Sequence, residues 1–149
     1  MISQFFILNA RGDTLITKDY RGDLTKQVPE RLYREIQTAD QEKEPIFSAD
    51  GITFAWTTRG SLTLALTTRF NMSPSLLMEV LIQIVKTVQD LCGVLNEKAL
   101  RRNFILVYEI LDEMLDFGYP QLMKTSDVRP RIFALGNSLH LQLQKFEKI

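Results

Sequence analysis

The stretch from Asn103 to Gln121 reads NFILVYEILDEMLDFGYPQ, and it decides how the chain can fold. Its apolar residues recur at helical spacing along one side, and others carry apolar character onto the opposite side. The first group is Phe104, Val107, Tyr108, Leu111 and Leu115, and the second is Ile105, Leu106 and Ile110. A helix that is apolar on nearly all sides needs cover on more than one. One side can pack on a sheet of its own domain, and the rest requires a neighbouring helix or another protein.

A strand is the alternative for part of this stretch, because the five residues Phe104 to Tyr108 would suit a buried strand if taken alone. Length favours the helix, since the periodicity continues through Asp116, too far for an ordinary strand. Gly118 supplies the left-handed residue that ends a helix, and Pro120 prevents the helix from resuming. The sequence therefore predicts one long helix, capped by Asn96 and closed at Gly118.

The charged residues of this helix are placed against its backbone dipole. The basic ones near its start are Lys98, Arg101 and Arg102, and the acidic ones toward its end are Glu109, Asp112, Glu113 and Asp116. Acidic residues near a helix C-terminus usually cost about 0.3–1 kcal/mol each. Two interpretations stay open: a solvated face on which the misfit is tolerated, or an acidic end that meets basic groups on a partner.

The composition is that of an ordinary soluble domain. At 149 residues the chain fits one domain with a real core. Eighteen basic residues balance eighteen acidic ones, so no overall field favours nucleic acid or an anionic membrane. One cysteine, Cys92, excludes an internal disulfide and fits a reducing compartment. Residues 1–8 lack the features of a secretory signal, and no apolar run is long enough for a transmembrane segment, so we expect a cytosolic protein.

The rest of the chain predicts an antiparallel sheet beneath two long helices. The expected elements are strands over 1–8 and 13–20, a short amphipathic helix over 24–36, strands over 46–48, 52–58 and 62–68, and a helix from Ser73 to Gly93. Tight turns separate neighbouring strands, which makes their pairing antiparallel. Large apolar residues alternate with milder ones in strands 52–58 and 62–68, which predicts one well-packed face and one less deeply packed face. An α+β fold with both long helices on one face buries both apolar stripes most simply.

The character of the sequence changes after Gln121. Residues 122–149 carry a local excess of basic residues, and Pro130 and Gly136 interrupt them. Nothing there predicts an independent domain. We therefore expect one domain over 1–121 and a weakly ordered tail over 122–149 that can fold back.

Few residues in the chain could carry catalysis. The single histidine, His140, lies in the tail, which excludes histidine-based triads and the usual multi-histidine metal sites. Cys92 lies on the apolar stripe of a helix, where a buried thiol is far more common than a nucleophile. The glycines are isolated turn residues, so no phosphate loop is predicted. We expect a binding or scaffold module with no catalytic residue, no metal and no cofactor.

Two segments resemble the medium (mu) chains of adaptor complexes, most closely that of the fourth adaptor complex. They are residues 1–8 with Gly12–Asp13, Leu15–Ile16, Lys18–Asp19 and Arg21–Asp23, and the run from Asn103 to Gln121. The resemblance spans about residues 1–121 and is specific at both ends, whereas the middle agrees in pattern more than in letters.

The resemblance implies a longin-type domain in the order ββαβββαα: a five-stranded antiparallel sheet with one helix on one face and two long helices on the other. It also implies a heterotetramer with two large chains and a small sigma chain, in which this domain nests against a large-chain trunk. Such complexes are recruited to trans-Golgi or endosomal membranes by Arf-family GTPases and select cargo for vesicles. Medium chains continue into a C-terminal domain that binds tyrosine-based sorting signals, and this sequence stops at Ile149 without it, so cargo binding is not carried over.

The surplus apolar surface and acidic end of the last helix then predict a partner interface. Its candidate residues are Tyr108, Leu111, Asp112, Leu115, Asp116, Phe117 and Tyr119. Two other functions stay open. One is a freestanding longin-type regulator of a small GTPase or a membrane-fusion protein, and the other is a small-ligand sensor or enzyme that uses the crevice between sheet and helices.

Overall fold

The computed structural model describes residues 2–22, 27–38, 44–69, 72–116, 118–120 and 124–132. Five strands form an antiparallel sheet in the order β2-β1-β5-β4-β3. They are β1 Gln4–Leu8, β2 Thr14–Asp19, β3 Ile46–Ala49, β4 Ile52–Arg59 and β5 Leu62–Thr68. The helices are α1 Val28–Thr38, α2 Pro74–Cys92, α3 Glu97–Arg102, α4 Phe104–Met114 and the single turn α5 Thr125–Val128, which a 3₁₀ turn Arg129–Arg131 follows. The predicted α+β class and antiparallel sheet are confirmed.

Helices cover both faces of the sheet. On one face, Val28 and Leu32 of α1 pack with Phe6 and Phe54 in a core of their own. On the other face, α2, α3 and α4 pack over a larger core. The strand residues of this larger core are Phe5, Ile7, Ile16, Ala55, Leu62, Leu64 and Leu66, and Ile2 joins them from the segment before β1. The expected arrangement, with one helix opposite the long helices, is therefore confirmed.

Strands β4 and β5 place large side chains on both faces of the sheet. The register pairs Phe54 with Thr67 and Ala55 with Leu66, so each face receives a large side chain from one strand and a small one from its neighbour. Ala55 and Ala65 are fully buried. Helices cover both faces, and the core under α1 is the smaller of the two, so one face is less deeply packed, as the alternation predicts.

Local signals set most helix ends. Helix α2 begins at Pro74 after Ser73, although the Ser73 side chain makes no capping hydrogen bond, and Gly93 follows its last residue. The Asn96 side chain accepts a hydrogen bond from the Ala99 N–H at 2.7 Å, as its capping role predicts. Helix α1 begins at Val28. The predicted start of that helix, Leu24, lies outside the described residues.

The long helix predicted from Asn96 to Gly118 is two helices and a turn. Asn103 separates α3 from α4, and its Nδ2 donates to the Ala99 carbonyl oxygen at 3.0 Å. An asparagine side chain that binds the backbone in this way competes with the regular helical hydrogen bonds, which accounts for the break. At the other end α4 stops at Met114, because Leu115 is extended with φ −128° and ψ 101°.

Two short strands replace the predicted last turn of the helix. They are β6 Leu115–Asp116 and β7 Tyr119–Pro120, which pair antiparallel. Gly118, with φ +87°, forms the turn between them and does not cap the helix. The Ile2 N–H donates to the Gly118 carbonyl oxygen at 2.8 Å, so this turn packs on the start of the sheet.

Part of the segment predicted as a tail packs on the domain. Val128 and Ile132 are 0% and 4% exposed and belong to the larger core. The Thr125 hydroxyl donates to Asp90 Oδ2 of α2 at 2.8 Å. The core therefore continues past Gln121, the predicted end of the domain. Residues 133–149, with His140, lie outside the described residues. Among the helices that the structure describes, none is long and apolar enough to cross a membrane.

Candidate partner interface

Hydrogen bonds and an ion pair join helix α4 to β2, the strand at one edge of the sheet. The Tyr108 hydroxyl accepts from the Thr17 N–H at 3.3 Å and donates to the Thr17 carbonyl oxygen at 3.2 Å. One helical turn further on, Asp112 Oδ1 lies 2.8 Å from Lys18 Nζ. The acidic end of the helix thus meets a basic group within the same chain. Sequence reasoning missed this pairing because it did not place β2 beneath α4.

A depression with a negative lining lies beside this contact. Its volume is about 330 Å³, and its lining residues are Lys18, Asp19, Tyr20, Asp112, Leu115 and Asp116. Burial, and then the negative charge of Asp112, raise the pKa of Tyr20 far above its ordinary value, so this phenol stays neutral. Asp116 has no ion pair among the described residues. Three carboxylates against one lysine suit a cationic side chain better than an anion.

The predicted interface residues fall into different environments. Leu111 and Leu115 are 0% and 2% exposed, so they belong to the core of this chain. Asp112, Asp116 and Tyr119 are exposed, and Tyr108 is half-buried. Phe117 lies outside the described residues. Only the exposed members of the predicted set can contact a partner without rearrangement of the core.

Exposed apolar side chains concentrate away from α1, on the side of the domain where α2, α3 and α4 lie. We call this the helical side. In the part of the chain that the structure describes, six large hydrophobic residues are exposed: Leu76, Ile82, Val94, Phe104, Ile105 and Tyr119. None of them belongs to α1 or to the five-stranded sheet. Sequence reasoning did not predict that Val94, Phe104 and Ile105 would be exposed. The signal for Phe104 and Ile105 is the unbroken apolar run at the start of α4, since one side of a helix cannot bury every residue of such a run.

A groove opens between β2 and the junction of α3 with α4. Its volume is about 430 Å³, and it is lined by Thr14, Leu15, Ile16, Leu100, Arg101, Phe104 and Tyr108. Ile16 and Leu100 are each 1% exposed and form its floor. We call this feature the α3 groove. Beside it, Glu97, Lys98, Arg101 and Arg102 line a shallow basic surface, where Arg101 Nη2 lies 2.7 Å from Glu97 Oε1.

Sequence comparison identifies relatives among adaptor-complex subunits. No protein-family model matches the chain. The chain is 42% identical over 137 residues to the AP-4 complex subunit mu of Arabidopsis thaliana, a match that covers 89% of this chain and 30% of the relative. It is 42% identical to the human AP-4 complex subunit mu-1, over 87% of this chain and 29% of the relative. The AP-2 complex subunit mu of Dictyostelium discoideum is 34% identical over 99% of this chain and 34% of the relative.

Structural comparison shows the same fold in an adaptor complex. A chain of the structure described as "Homology model of the full-length AP-3 complex in a stretched open conformation" matches with a TM-score of 0.69. The match covers 97% of this chain and 99% of that chain at 17% sequence identity. At this identity the likeness shows the fold, which is longin-like.

The sequence matches also correct the expected extent of the resemblance. A match over 89% of the chain is longer than residues 1–121, so it includes part of the segment after Gln121. Val128 and Ile132, which are buried in the core, lie in that segment. The chain is homologous to the mu chains of adaptor complexes, and it spans 29% to 34% of the length of the three relatives named here.

Proposed function

We propose that this chain is a non-catalytic subunit of a heterotetrameric adaptor complex and acts in coat assembly for vesicle transport and cargo sorting. The observation that carries the proposal is the 42% identity to AP-4 mu chains over 89% of this chain. In this assembly the chain binds a large adaptor chain and joins a second large chain and a small sigma chain. Recruitment to trans-Golgi or endosomal membranes runs through the complex and Arf-family GTPases, so the chain itself is cytoplasmic and peripheral.

The exposed apolar residues support a partner on the helical side. Leu76 and Ile82 lie on α2 and are 47% and 37% exposed, while Ile105 at the start of α4 is 59% exposed. Large apolar side chains at a surface favour burial against another protein, at about 25 cal/mol per Å² before association costs are subtracted. Since α1 and the sheet show no such residues in the described ranges, the helical side is the better assembly face.

Co-expression tests the assembly directly. The tagged full chain is produced with the large and sigma chains of the fourth adaptor complex of the same organism, and the purified complex is measured by size-exclusion chromatography with light scattering. We expect a stoichiometric complex. A folded chain that captures no adaptor subunit, yet binds one small GTPase or fusion protein saturably, contradicts the proposal.

Two matched variants locate the assembly face. Ile105→Asp places a negative charge among the exposed apolar residues of the helical side. Gln37→Asp places the same charge at an exposed residue of α1, on the opposite side of the sheet. We expect the first to weaken co-purification at least tenfold and the second to leave it unchanged. Equal losses, with both variants folded by circular dichroism, would place the partner elsewhere.

A further inference from the structure

We infer that the α3 groove is a docking site for an amphipathic helix of another protein, with bulky apolar side chains on one face and carboxylates along its rim. The groove lies at the β2 edge of the domain, where α3 contacts β2, whereas α2 packs over β4 and β5. Leu76, Ile82 and Ile105, which the proposed assembly face uses, do not line this groove, so the inference does not rest on the proposed adaptor role.

The interior of the groove is apolar. Its floor, Ile16 and Leu100, is sealed from solvent, and Leu15 and Phe104 form its walls. Phe104 is 49% exposed, which is high for a phenylalanine that lies over a concave apolar surface. A groove of about 430 Å³ lies within the range of clefts that bind ligands in proteins. Insertion of apolar side chains would cover Phe104 and remove water from these walls.

The rim of the groove is basic. Arg101 lines both the groove and the adjoining basic surface, which Lys98 and Arg102 extend. Glu97 is the one acidic residue along that surface, and its carboxylate pairs with Arg101. Lys98 and Arg102 have no ion pair within the part of the chain that the structure describes. The excess of positive charge selects an occupant that carries carboxylates beside its apolar anchors.

Strand addition does not explain the site. An edge strand can pair with an extended peptide through its outward N–H and C=O groups. At Thr17, in the middle of β2, the Tyr108 hydroxyl already makes hydrogen bonds with both the N–H and the C=O group. An extended peptide therefore cannot pair along the middle of β2 without displacing Tyr108, whereas the apolar walls suit contact through side chains, which is how an amphipathic helix binds in a groove.

The test uses the full chain and three labelled helical peptides of about 18 residues, or five turns. The first peptide has leucines on one face of the helix and glutamates on both sides of that face. The second replaces the glutamates with lysines, and the third replaces the leucines with serines. Fluorescence anisotropy measures each Kd. We expect the leucine–glutamate peptide to bind at least tenfold tighter than either other peptide, and its affinity to fall as salt rises. Equal affinity of the leucine–glutamate and leucine–lysine peptides overturns the inference.

Variants then assign the binding to the groove. Phe104→Ser should weaken the peptide at least tenfold, whereas Ile105→Ser, its neighbour outside the groove, should change the Kd less than twofold. The double variant Lys98→Glu with Arg102→Glu removes no buried group and should weaken binding at least tenfold. Lys86 is an exposed residue of α2, and Lys86→Glu, the matched control, should change the Kd little. Equal effects within either pair overturn the inference.

Two further probes separate other occupants. A peptide of residues 133–149 that binds the full chain and loses its affinity in Phe104→Ser would assign the groove to this chain itself, and so overturn the inference. Vesicles of phosphatidylserine and phosphatidylcholine that displace the leucine–glutamate peptide would assign it to a membrane, with the same consequence. Neither result bears on co-purification with adaptor chains, so the two proposals can fail separately.

Discussion

Tyr108 and Thr17 are joined by two hydrogen bonds, in which one side-chain hydroxyl satisfies both outward backbone groups of an edge-strand residue. The N–H of Thr17 donates at 3.3 Å and its carbonyl oxygen accepts at 3.2 Å. Unpaired edge groups invite pairing with another chain, and proteins commonly block them. Helix α4 therefore does two things in this fold: it covers the larger core, and it closes the middle of the β2 edge.

Removal of this hydroxyl should weaken the domain and open the edge. Tyr108→Phe leaves the ring in place and deletes both hydrogen bonds, which we expect to cost about 0.5–1.5 kcal/mol because water can replace them at an exposed edge. For a chain of this size, that loss lowers Tm by about 2–4 °C per kcal/mol. The Thr17 amide should exchange its hydrogen faster. Calorimetry and hydrogen exchange measure the two effects.

Tyr119→Phe is the control for this substitution. Tyr119 is 50% exposed, and within the described residues its hydroxyl has no hydrogen-bond partner. Its loss should leave Tm and the exchange rate of the Thr17 amide unchanged. If the two phenylalanine variants behave alike, the Tyr108 hydroxyl does not protect the edge.

Gly118→Ala should destabilise the domain strongly. A Cβ at this position would clash with the Ile2 carbonyl oxygen, which is backbone and cannot rotate away, and φ is +87°. The left-handed strain and the steric clash together should cost at least about 2 kcal/mol. Gly51→Ala isolates the strain alone, because φ is +75° there and nothing lies within 4 Å of the added Cβ. Urea unfolding should show a clearly larger loss for Gly118→Ala, and equal losses would contradict the close approach to Ile2.

The same glycine shows where sequence reasoning reached its limit. Alternation and turn residues predicted the strands well, because β4 and β5 are built from local patterns. The end of α4 depended on a distant contact instead: Gly118 is needed where the chain passes Ile2, and a glycine after an apolar run reads equally well as a helix cap. The break at Asn103 was similarly hidden, since its cause is a side chain that binds the Ala99 carbonyl.

The predicted interface shows a related limit. Periodicity identifies which residues share a side of a helix, and Leu111 and Asp112 both belong to a helix that is apolar on most sides. It does not identify which side faces the sheet, since that depends on how the strands are ordered. With β2 at the edge beneath α4, Leu111 points into the core and Asp112 meets Lys18.

Asn9 should be a sensitive residue of the turn in the first hairpin. Its Oδ1 accepts from the N–H groups of Arg11 at 3.0 Å and Asp13 at 2.9 Å, and its Nδ2 lies 3.4 Å from Glu97 Oε1 on α3. Asn9 is 4% exposed but Arg11 and Asp13 are exposed, so water can partly replace the lost acceptor, and Asn9→Ala should cost about 0.5–1.5 kcal/mol. Asn9 Nδ2 also lies 3.2 Å from Asp13 Oδ2, so Asn9→Asp keeps the acceptor but places a new carboxylate beside those of Asp13 and Glu97. We expect urea unfolding to show that this variant is less stable than the parent chain, and an unchanged stability would contradict this role.

The Lys18–Asp112 pair should contribute little and respond to salt. Its atoms lie 2.8 Å apart, but the side chains are 34% and 56% exposed. Exposed ion pairs measure about 0.2–1 kcal/mol. A double-mutant cycle with Lys18→Met and Asp112→Asn should give a coupling energy in that range, and the coupling should shrink when salt rises from about 0.1 M to about 1 M. A coupling that persists at high salt would mean that the pair is held by more than charge.

Cys92 provides a pH-dependent test of burial on α2. Burial raises the pKa of this thiol from 9.0 to about 11, so at pH 9 the folded chain holds about 50-fold less thiolate than the unfolded chain. Alkylation by iodoacetamide needs the thiolate, and the single cysteine makes the product unambiguous by mass spectrometry. The folded chain should therefore react far more slowly at pH 9 than the chain in urea.

The same shift makes the domain less stable in alkali, with a sign that follows from the proton count. Well below pH 9 the thiol is protonated in both states, and the contribution of Cys92 to stability is complete. As pH rises from 9 to 11 the unfolded chain loses this proton first, so unfolding becomes easier. Tyr20, whose pKa is also raised, adds a similar loss that begins near pH 10. Cys92→Ala should remove the earlier loss and keep the later one. If the stability of this variant falls between pH 9 and 10 as steeply as that of the parent chain, the partial burial of the thiol does not raise its pKa.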